Sequence, residues 1–442
     1  MLRKATSEDF AAWKAIYMQT SVNPFMAYGS VHELDNDFVN MVQKSTLYVY
    51  EDNEQNIIGI CRLTPFSGDS QHVVEINSFA ISERYRGKGH AQVMLNAIIE
   101  EIKKQPQIIR IQLSVEGDNP AAQHIYQKAG FELEAIYDDW FRRYEGTHQD
   151  KWFVAEHFMV QFINKPQVKP LDSIHSPQHQ CIDCNLRKAK SVDFQKSYDL
   201  YQRKQQSLGL KAKSSEDYFS DFSEFLGSGD LYVYEHNDEI IGMCHLAPYS
   251  QYKRLQHSAE IDFLIMEPLG HPETLASFLK SIKKDQVDKG IKRIEVALLE
   301  GDSQTAEGMK LAGFEAKGEL SGIFRHPQGH YVNKLLFESS LLGISDAVEL
   351  IKTCHFDMKK EQKIIKKLEI LNTLTGLKNL NFENQIYQTI KKHRDNPAEI
   401  LNFLSSMMST QGMSFFSNYP GDSLPTPIPT SEILNYGQGF SS

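Results

Sequence analysis

The run Arg86-Gly87-Lys88-Gly89-His90-Ala91 sets two glycines among cationic residues where an extended stretch gives way to a helical one. Upstream, Glu75-Ile76-Asn77-Ser78-Phe79-Ala80-Ile81 reads as part of a strand. Downstream, residues 91–102 carry Val93, Met94, Ala97, Ile98 and Ile102 on one side and read as a helix. A strand feeding a glycine-bearing turn into a helix N-terminus aims successive backbone N–H groups, and the positive end of the helix dipole, at one point. That arrangement holds a phosphate or another anion. Gly87 and Gly89 have no side chain to keep an anion away, and Arg86 and Lys88 add positive charge beside it. A Gly-x-Gly turn alone can equally be a plain tight turn.

A second constellation lies downstream. Asn119-Pro120 opens a helix that carries Ala122 and Tyr126, and Gly130-Phe131 closes it and begins the next strand. Together the two blocks resemble the acetyl-CoA motifs of the GNAT acetyltransferase superfamily. The first motif there is Gln/Arg-x-x-Gly-x-Gly/Ala; the second is an Asn before a helix, a Tyr within it and Gly-Phe after it. The resemblance covers residues 1–165 and, through a repeat, residues 186–344. It implies acetyl-CoA as co-substrate and no metal. Backbone amides from Gly87 through Lys88, Gly89 and His90 to Ala91, beside Arg86, would hold the pyrophosphate. Amides near Phe79 to Ile81 would align the pantetheine arm and polarise the thioester carbonyl. Asn119 would contact the pantetheine or fix the following loop.

The chemistry adds two demands. A primary amine is mostly protonated near neutral pH and cannot attack a thioester until a base takes its proton. The resemblance puts that role on Glu75, directly or through water, and makes Tyr126 the acid that protonates the departing thiolate. A phenol with a reference pKa of about 10 is a sensible donor. As plain structure, Glu75 is a solvent-facing strand residue, Tyr126 is helix packing, and Lys88 and His90 contribute only backbone.

The scaffold for these residues occurs twice. Leu2-Arg3-Lys4-Ala5 returns as Leu186-Arg187-Lys188-Ala189, and Leu47-Tyr48-Val49-Tyr50-Glu51 as Leu231-Tyr232-Val233-Tyr234-Glu235. Asp9-Phe10, Tyr17, Gly117-Asp118 and Gly130-Phe131 recur at nearly the same spacing. A spacing held across a whole unit marks a tandem duplication. In the first unit a capped helix carries Phe10, Trp13, Ile16 and Tyr17, and strands are expected over 47–51, 57–63, 73–81, 108–115, 131–137 and 152–163. The expected fold class is mixed α/β: two tandem GNAT-type acyl-CoA N-acyltransferase folds plus a C-terminal helical extension. The expected division is a catalytic domain at 1–165, a linker at 166–185 and a second GNAT-like domain at 186–344. A helical extension follows over 345–409, with Ile364, Ile365, Leu368, Leu371 and Leu374 at helical spacing and a helix start at Asn396-Pro397-Ala398-Glu399. A disordered tail is expected over 410–442.

The second unit departs where the chemistry should be. His271-Pro272-Glu273-Thr274-Leu275-Ala276 falls over the anion turn. Both glycines are gone, Pro272 lacks an N–H, and Glu273 brings an anion to an anion site. Met309 stands for the tyrosine and Ser303 falls near the asparagine, while Glu260 keeps the place of Glu75. This unit reads as a catalytically silent copy. Elsewhere, His175, His179, Cys181 and Cys184 form either a tight metal knuckle or part of a plain linker. Asp138, Asp139, Trp140, Phe141 and Glu145 read as a loop between the last two strands of unit one, either bordering the acceptor or merely solvated. Residues 23–28 could wall the opposite side of the cleft.

Composition bounds the rest. The chain has 442 residues, 41% hydrophobic and 24% charged, with a formal net charge of −10. That is ordinary globular composition and speaks against wholesale disorder. The acidic balance disfavours nucleic acid as a partner, and no run approaches the ~18 apolar residues of a membrane span. No signal peptide is legible and five cysteines make no disulfide scaffold, so the expected location is cytoplasmic. The function expected is an acetyl-CoA-dependent N-acetyltransferase acting on a primary amine of an unidentified small-molecule or protein acceptor, with a protein partner for the second domain or tail. The alternative is a non-catalytic acyl-CoA-binding or protein-interaction module, or an exported bacterial effector acting on a host protein.

Overall fold

A computed structural model of the chain describes residues 1–19, 21–22, 38, 41–44, 46–142, 153–171, 184–208, 210–249, 255–266, 272–354, 356–374 and 380–414. It divides into two compact units, Met1–Leu342 and Gly343–Ser442. In the first part of the larger unit the order is β1 (Leu2–Lys4), α1 (Phe10–Tyr17), β2 (Leu47–Glu51), β3 (Ile57–Pro65), β4 (Val73–Ile81), α2 (His90–Lys103), β5 (Arg110–Glu116), α3 (Pro120–Lys128), β6 (Glu132–Arg142) and β7 (Phe153–Phe162). The later part supplies β8 (Asn185–Lys188), α4 (Phe194–Ser207), α5 (Ser215–Ser228), β9 (Leu231–His236), β10 (Glu239–Pro248) and β11 (Ser258–Met266). It continues with α6 (Pro272–Asp288), β12 (Arg293–Leu299), α7 (Ser303–Leu311), β13 (Glu315–Arg325) and β14 (Tyr331–Ser340).

The strands form one fourteen-stranded sheet, β1-β2-β3-β4-β5-β7-β6-β13-β14-β12-β11-β10-β9-β8. Its second seven strands follow the order of the first seven, reversed about the β6–β13 join. Alternation of side chains across each strand puts two cores on each half. Ile76, Leu113 and Met159 pack with Met94, Ile98 and Tyr126 from α2 and α3, while Val49, Ile60 and Ala80 pack with Trp13 and Tyr17 from α1. The β6–β13 pairing is short, with Gly318 opposite Ala135. A Cβ on Gly318 would run into Ala135 and the Glu134 carbonyl, so only glycine permits the approach. Two histidines brace the join: His72 Nε2 lies 2.7 Å from Gly322 O, and His257 Nε2 lies 3.0 Å from Asp139 O.

Two expectations change. Asp138, Asp139, Trp140 and Phe141 do not lie in a loop; they belong to β6, which runs on to Arg142 because it finds a partner in β7 as far as Phe153. There Asp138 pairs with Lys317 at 3.0 Å and the Trp140 ring lies 4.2 Å from the Arg293 guanidinium carbon. These residues serve the join between the halves; Glu145 lies outside the described residues. The start of the segment read as linker is also engaged: Lys169 N–H donates to Tyr331 O and Leu171 N–H to Glu300 O, both at 2.9 Å. His175, His179, Cys181 and residues 23–28 lie outside the described residues, and Cys184 packs against the second half's core.

The smaller unit is helical: α8 (Ile344–Thr353), α9 (Met358–Leu374), α10 (Leu380–Lys392) and α11 (Pro397–Ser414). Ile364, Leu368 and Leu371 are fully buried, with Ile386, Ile390, Ile400 and Leu404, as the helical spacing requires. Ile365 of the same series is only partly buried. Asn396 accepts the Glu399 N–H at 3.4 Å, as expected of a capping residue. The last helix runs through Ser414, past the expected end of order at 409. Residues 415–442 lie outside the described residues.

Candidate functional site

The sheet opens where the sequence placed its chemistry. β4 and β5 pair in parallel only from Val73–Arg110 to Ile76–Leu113. Beyond that, β4 continues with β3 to Ile81 and β5 continues with β7 to Glu116. Ser78, at φ 51°, and Phe79 form a bulge against β3, between the Asn77–Arg62 and Ala80–Ile60 pairs. A bulge re-aims the strand, and here it leaves the β5-facing backbone of Phe79 to Ile81 outside any strand pairing.

The turn to α2 follows. Gly87 and Gly89 have φ of 72° and 82°, and a Cβ at either would meet nothing within 4 Å. Their glycines answer the backbone, and the space beside them is open. Among the described residues, the Arg86 N–H bonds Glu83 O and the Val93 N–H bonds Gly89 O, but the N–H groups of residues 87–92 have no partner. Six successive free donors at a helix N-terminus suit an anion. The Arg86 side chain is occupied with the turn itself: Nε donates to Ile81 O at 3.0 Å and a terminal nitrogen to Ser21 O at 3.4 Å. Lys88 Nζ lies over the Tyr85 ring at 5.6 Å, and the His90 ring meets the same Tyr85 ring edge-on at 6.1 Å. Ala91 packs against the core beneath.

Glu75 sits on the opposite face of β4 from the α2 core. Its Oε2 accepts Asn77 Nδ2 at 3.0 Å and its Oε1 accepts Gln112 Nε2 at 3.3 Å. Asn77 also reaches Thr64 Oγ1 at 3.1 Å. Tyr126 comes from the α2 side, with Phe79 at 6.0 Å and Phe131 at 6.1 Å between ring centres. Burial raises its phenol well above the ordinary value, and the Cys61 and Glu156 charges push the same way. Base and acid candidates therefore approach from opposite faces of the sheet, on either side of the splay. Asn119 caps α3, its Oδ1 accepting the Ala122 N–H at 3.2 Å.

The sequence reading missed Asn77, Gln112 and Arg110. Asn77 was within reach, two residues from Glu75 and so on its face; the other two needed the strand register.

The equivalent region of the second half is closed by its own side chains. Lys204 of α4 pairs with Asp302 at 2.8 Å and reaches Thr305 Oγ1 at 3.2 Å, at the N-terminus of α7. Asp302, not the expected Ser303, is the residue in the place of Asn119, accepting the Thr305 N–H. The hollow between α4 and α7 here measures about 20 Å³, room for a water and no more. Tyr249 donates to Glu295 at 2.6 Å and lies 3.1 Å from Glu260; burial raises both carboxyls, Glu295 to about 7. Met309 is fully buried at the tyrosine position, and residues 267–271 lie outside the described residues.

The Acetyltransferase (GNAT) family model matches residues 10–131. A Vibrio cholerae serotype O1 protein named spermidine N(1)-acetyltransferase is 26% identical over 136 residues, 29% of this chain and 71% of that protein. A Bacillus subtilis spermine/spermidine N(1)-acetyltransferase is 37% identical over 65 residues, 15% of this chain and 43% of that protein. Among solved structures, a GNAT-family acetyltransferase from Streptococcus pneumoniae aligns at 23% identity over 37% of this chain and 99% of that one, with a TM-score of 0.31. A Vibrio cholerae spermidine N-acetyltransferase solved with CoA and spermine aligns at 20% identity, over 37% and 94%, with a TM-score of 0.32. Among the described residues, no helix is long and apolar enough to cross a membrane and no group of side chains suits a metal.

Proposed function

We propose that the GNAT-family N-acetyltransferase domain in the N-terminal region of this chain moves an acetyl group from acetyl-CoA to a primary amine by direct attack. The observation that carries the reading is the free row of N–H groups at residues 87–92, set beside the β4–β5 splay. A pyrophosphate fits the first and an extended arm the second. In this reading the amides of Gly87 to Ala91 bind the pyrophosphate. Arg86 holds the turn against β4, and Lys88 and His90 contribute through backbone. The open backbone from Phe79 to Ile81 orients the thioester, and Asn119 fixes the start of α3. Glu75 takes the proton of the amine, directly or through water. Tyr126 gives one to the leaving thiolate, so the net change is an amide formed and a thioester broken.

Residues 1–165 are the catalytic domain in this proposal, and residues 186–344 a second, silent copy of the same fold. The reversed strand order, the Lys204–Asp302 pair and the buried Met309 support that division. The test is thiol release from acetyl-CoA by the full chain, with spermidine, spermine, an aminoglycoside and a lysine peptide as acceptors. The polyamines head the panel because the relatives are named for them. Acceptor-dependent, saturable release is the expected result. Acetyl-CoA binding without release for any acceptor would favour a non-catalytic acyl-CoA-binding module, and no binding would overturn the reading.

A further inference from the structure

The Glu75 carboxylate is the end of a hydrogen-bonded chain that starts in the other half of the molecule. Ser321 of β13 offers both backbone groups to the first half: its carbonyl accepts Arg110 Nη1 at 2.7 Å and its N–H donates to Glu134 Oε1 at 3.0 Å. Arg110 is fully buried and grips Glu134 with both terminal nitrogens, at 2.9 and 2.6 Å. Its remaining Nε donates to Gln112 Oε1 at 3.4 Å, and Gln112 Nε2 donates to Glu75 Oε1 at 3.3 Å. A guanidinium only donates and a carboxylate only accepts. The Gln112 amide is therefore forced into one orientation, oxygen toward Arg110 and nitrogen toward Glu75.

We propose that Gln112 and Arg110 are positioning residues for Glu75, and that the second half serves the site by anchoring this relay through the Ser321 backbone. The proposal rests on Glu75 acting as the base. The other groups on that face are Asn77, which holds Oε2, and Arg62 and Thr64 on β3, opposite Asn77 and Glu75 in the register. The second half lacks the relay: Glu295 stands where Gln112 does and pairs directly with Arg293. There Glu260, in the place of Glu75, meets the Tyr249 hydroxyl and no glutamine relay.

The test is the carboxyl ¹³C titration of Glu75 in the full chain, its resonance identified by its loss in Glu75→Gln. Gln112→Met keeps the length of the side chain and deletes the donor. Losing a hydrogen bond to the charged carboxylate should move the midpoint up. Glu134→Gln deletes an anion and leaves the buried Arg110 cation without its partner, so it should move the midpoint the other way, down. An unmoved midpoint in Gln112→Met overturns the relay even if Glu75→Gln abolishes acetyl transfer. In the kinetic arm, Gln112→Met should lower the rate 3- to 10-fold with an unchanged KM for acetyl-CoA, and add nothing in a Glu75→Gln background. Multiplying effects would show that Gln112 acts elsewhere. A Glu75→Gln variant with full activity would withdraw the base, and this role with it.

Discussion

Burial keeps Tyr126 protonated throughout the working pH range, since desolvation raises the phenol and nearby Cys61 and Glu156 raise it further. In the proposed mechanism that proton goes to the leaving thiolate, and Tyr126→Phe removes it while sparing the packing against Phe79 and Phe131. The expected outcome is a fall in kcat and kcat/KM together, toward the lower end of the ~10²–10⁴-fold typical of general acids, with acetyl-CoA affinity intact by calorimetry. Equal turnover in the two proteins would remove Tyr126 from the chemistry. Gly89 makes the complementary case for the cofactor side. Its φ of 82° costs any other residue on the order of 1–2 kcal/mol, and a glutamate there also puts a carboxylate among the free N–H groups. Gly89→Glu should lose acetyl-CoA binding by at least ~100-fold while keeping its circular dichroism, because the strain lies far below the stability of a domain this size. At this scale the sequence was informative about residues whose type is the message, such as Gly87, Gly89 and Asn119. It was silent about Gln112, an ordinary strand glutamine until the register sets it opposite Glu75.

The strands and helices of the first half follow the hydrophobic pattern closely, and the reason the repeat was legible lies away from the site. Arg3 pairs with Asp9 and Glu51, and Arg187 pairs with Asp193 and Glu235 in the same geometry, tying the edge strand to the cap of the first helix. The repeated Leu-Arg-Lys-Ala, Asp-Phe and Leu-Tyr-Val-Tyr-Glu segments are the parts of these two clasps. The length of β6 could not be read, since Asp138 to Phe141 look like loop residues until their partners in the other half are known. The join also makes stability depend on pH. Burial lowers His257 to about 3, and its Nδ1 has no acceptor. Neutral His257 costs nothing above its unfolded value of about 6.5. As pH falls from there toward 3, the unfolded chain takes a proton that the folded one refuses, so stability is lost. Between pH 6.5 and 5 that loss is roughly 2 kcal/mol, and His72, lowered by burial too, acts in the same direction. His257→Gln keeps a donor for Asp139 O and cannot titrate. Urea unfolding at pH 7 and pH 5 should therefore show a smaller difference for the variant than for the wild type, by about that amount; an equal difference would mean that other groups set the acid limit.

Two halves share one strand order but not one chemistry, and the whole molecule should bind one acetyl-CoA. In the first half the helix after the splay begins with free N–H groups over open space. In the second half the corresponding helix begins at Pro272, which has no N–H to offer, followed by Glu273. Its α7 start is held by Lys204, the hollow beside it has room for a water, and Glu260 is tied to Tyr249 and not to a pair of amides. Each of these differences alone would weaken a site, and their agreement across separate elements supports the proposal of a silent second half. Calorimetry on the full chain should therefore give a stoichiometry of one, and Gly89→Glu should abolish the whole heat signal and not half of it. Lys204→Ala supplies the sharper check. It removes the ammonium from the α7 terminus but does not restore the N–H missing at Pro272, so the stoichiometry should stay at one. A second molecule of acetyl-CoA bound by the wild type, or gained on loss of Lys204, would mean that the second half retains a working anion site, and the division of labour between the halves would have to be redrawn.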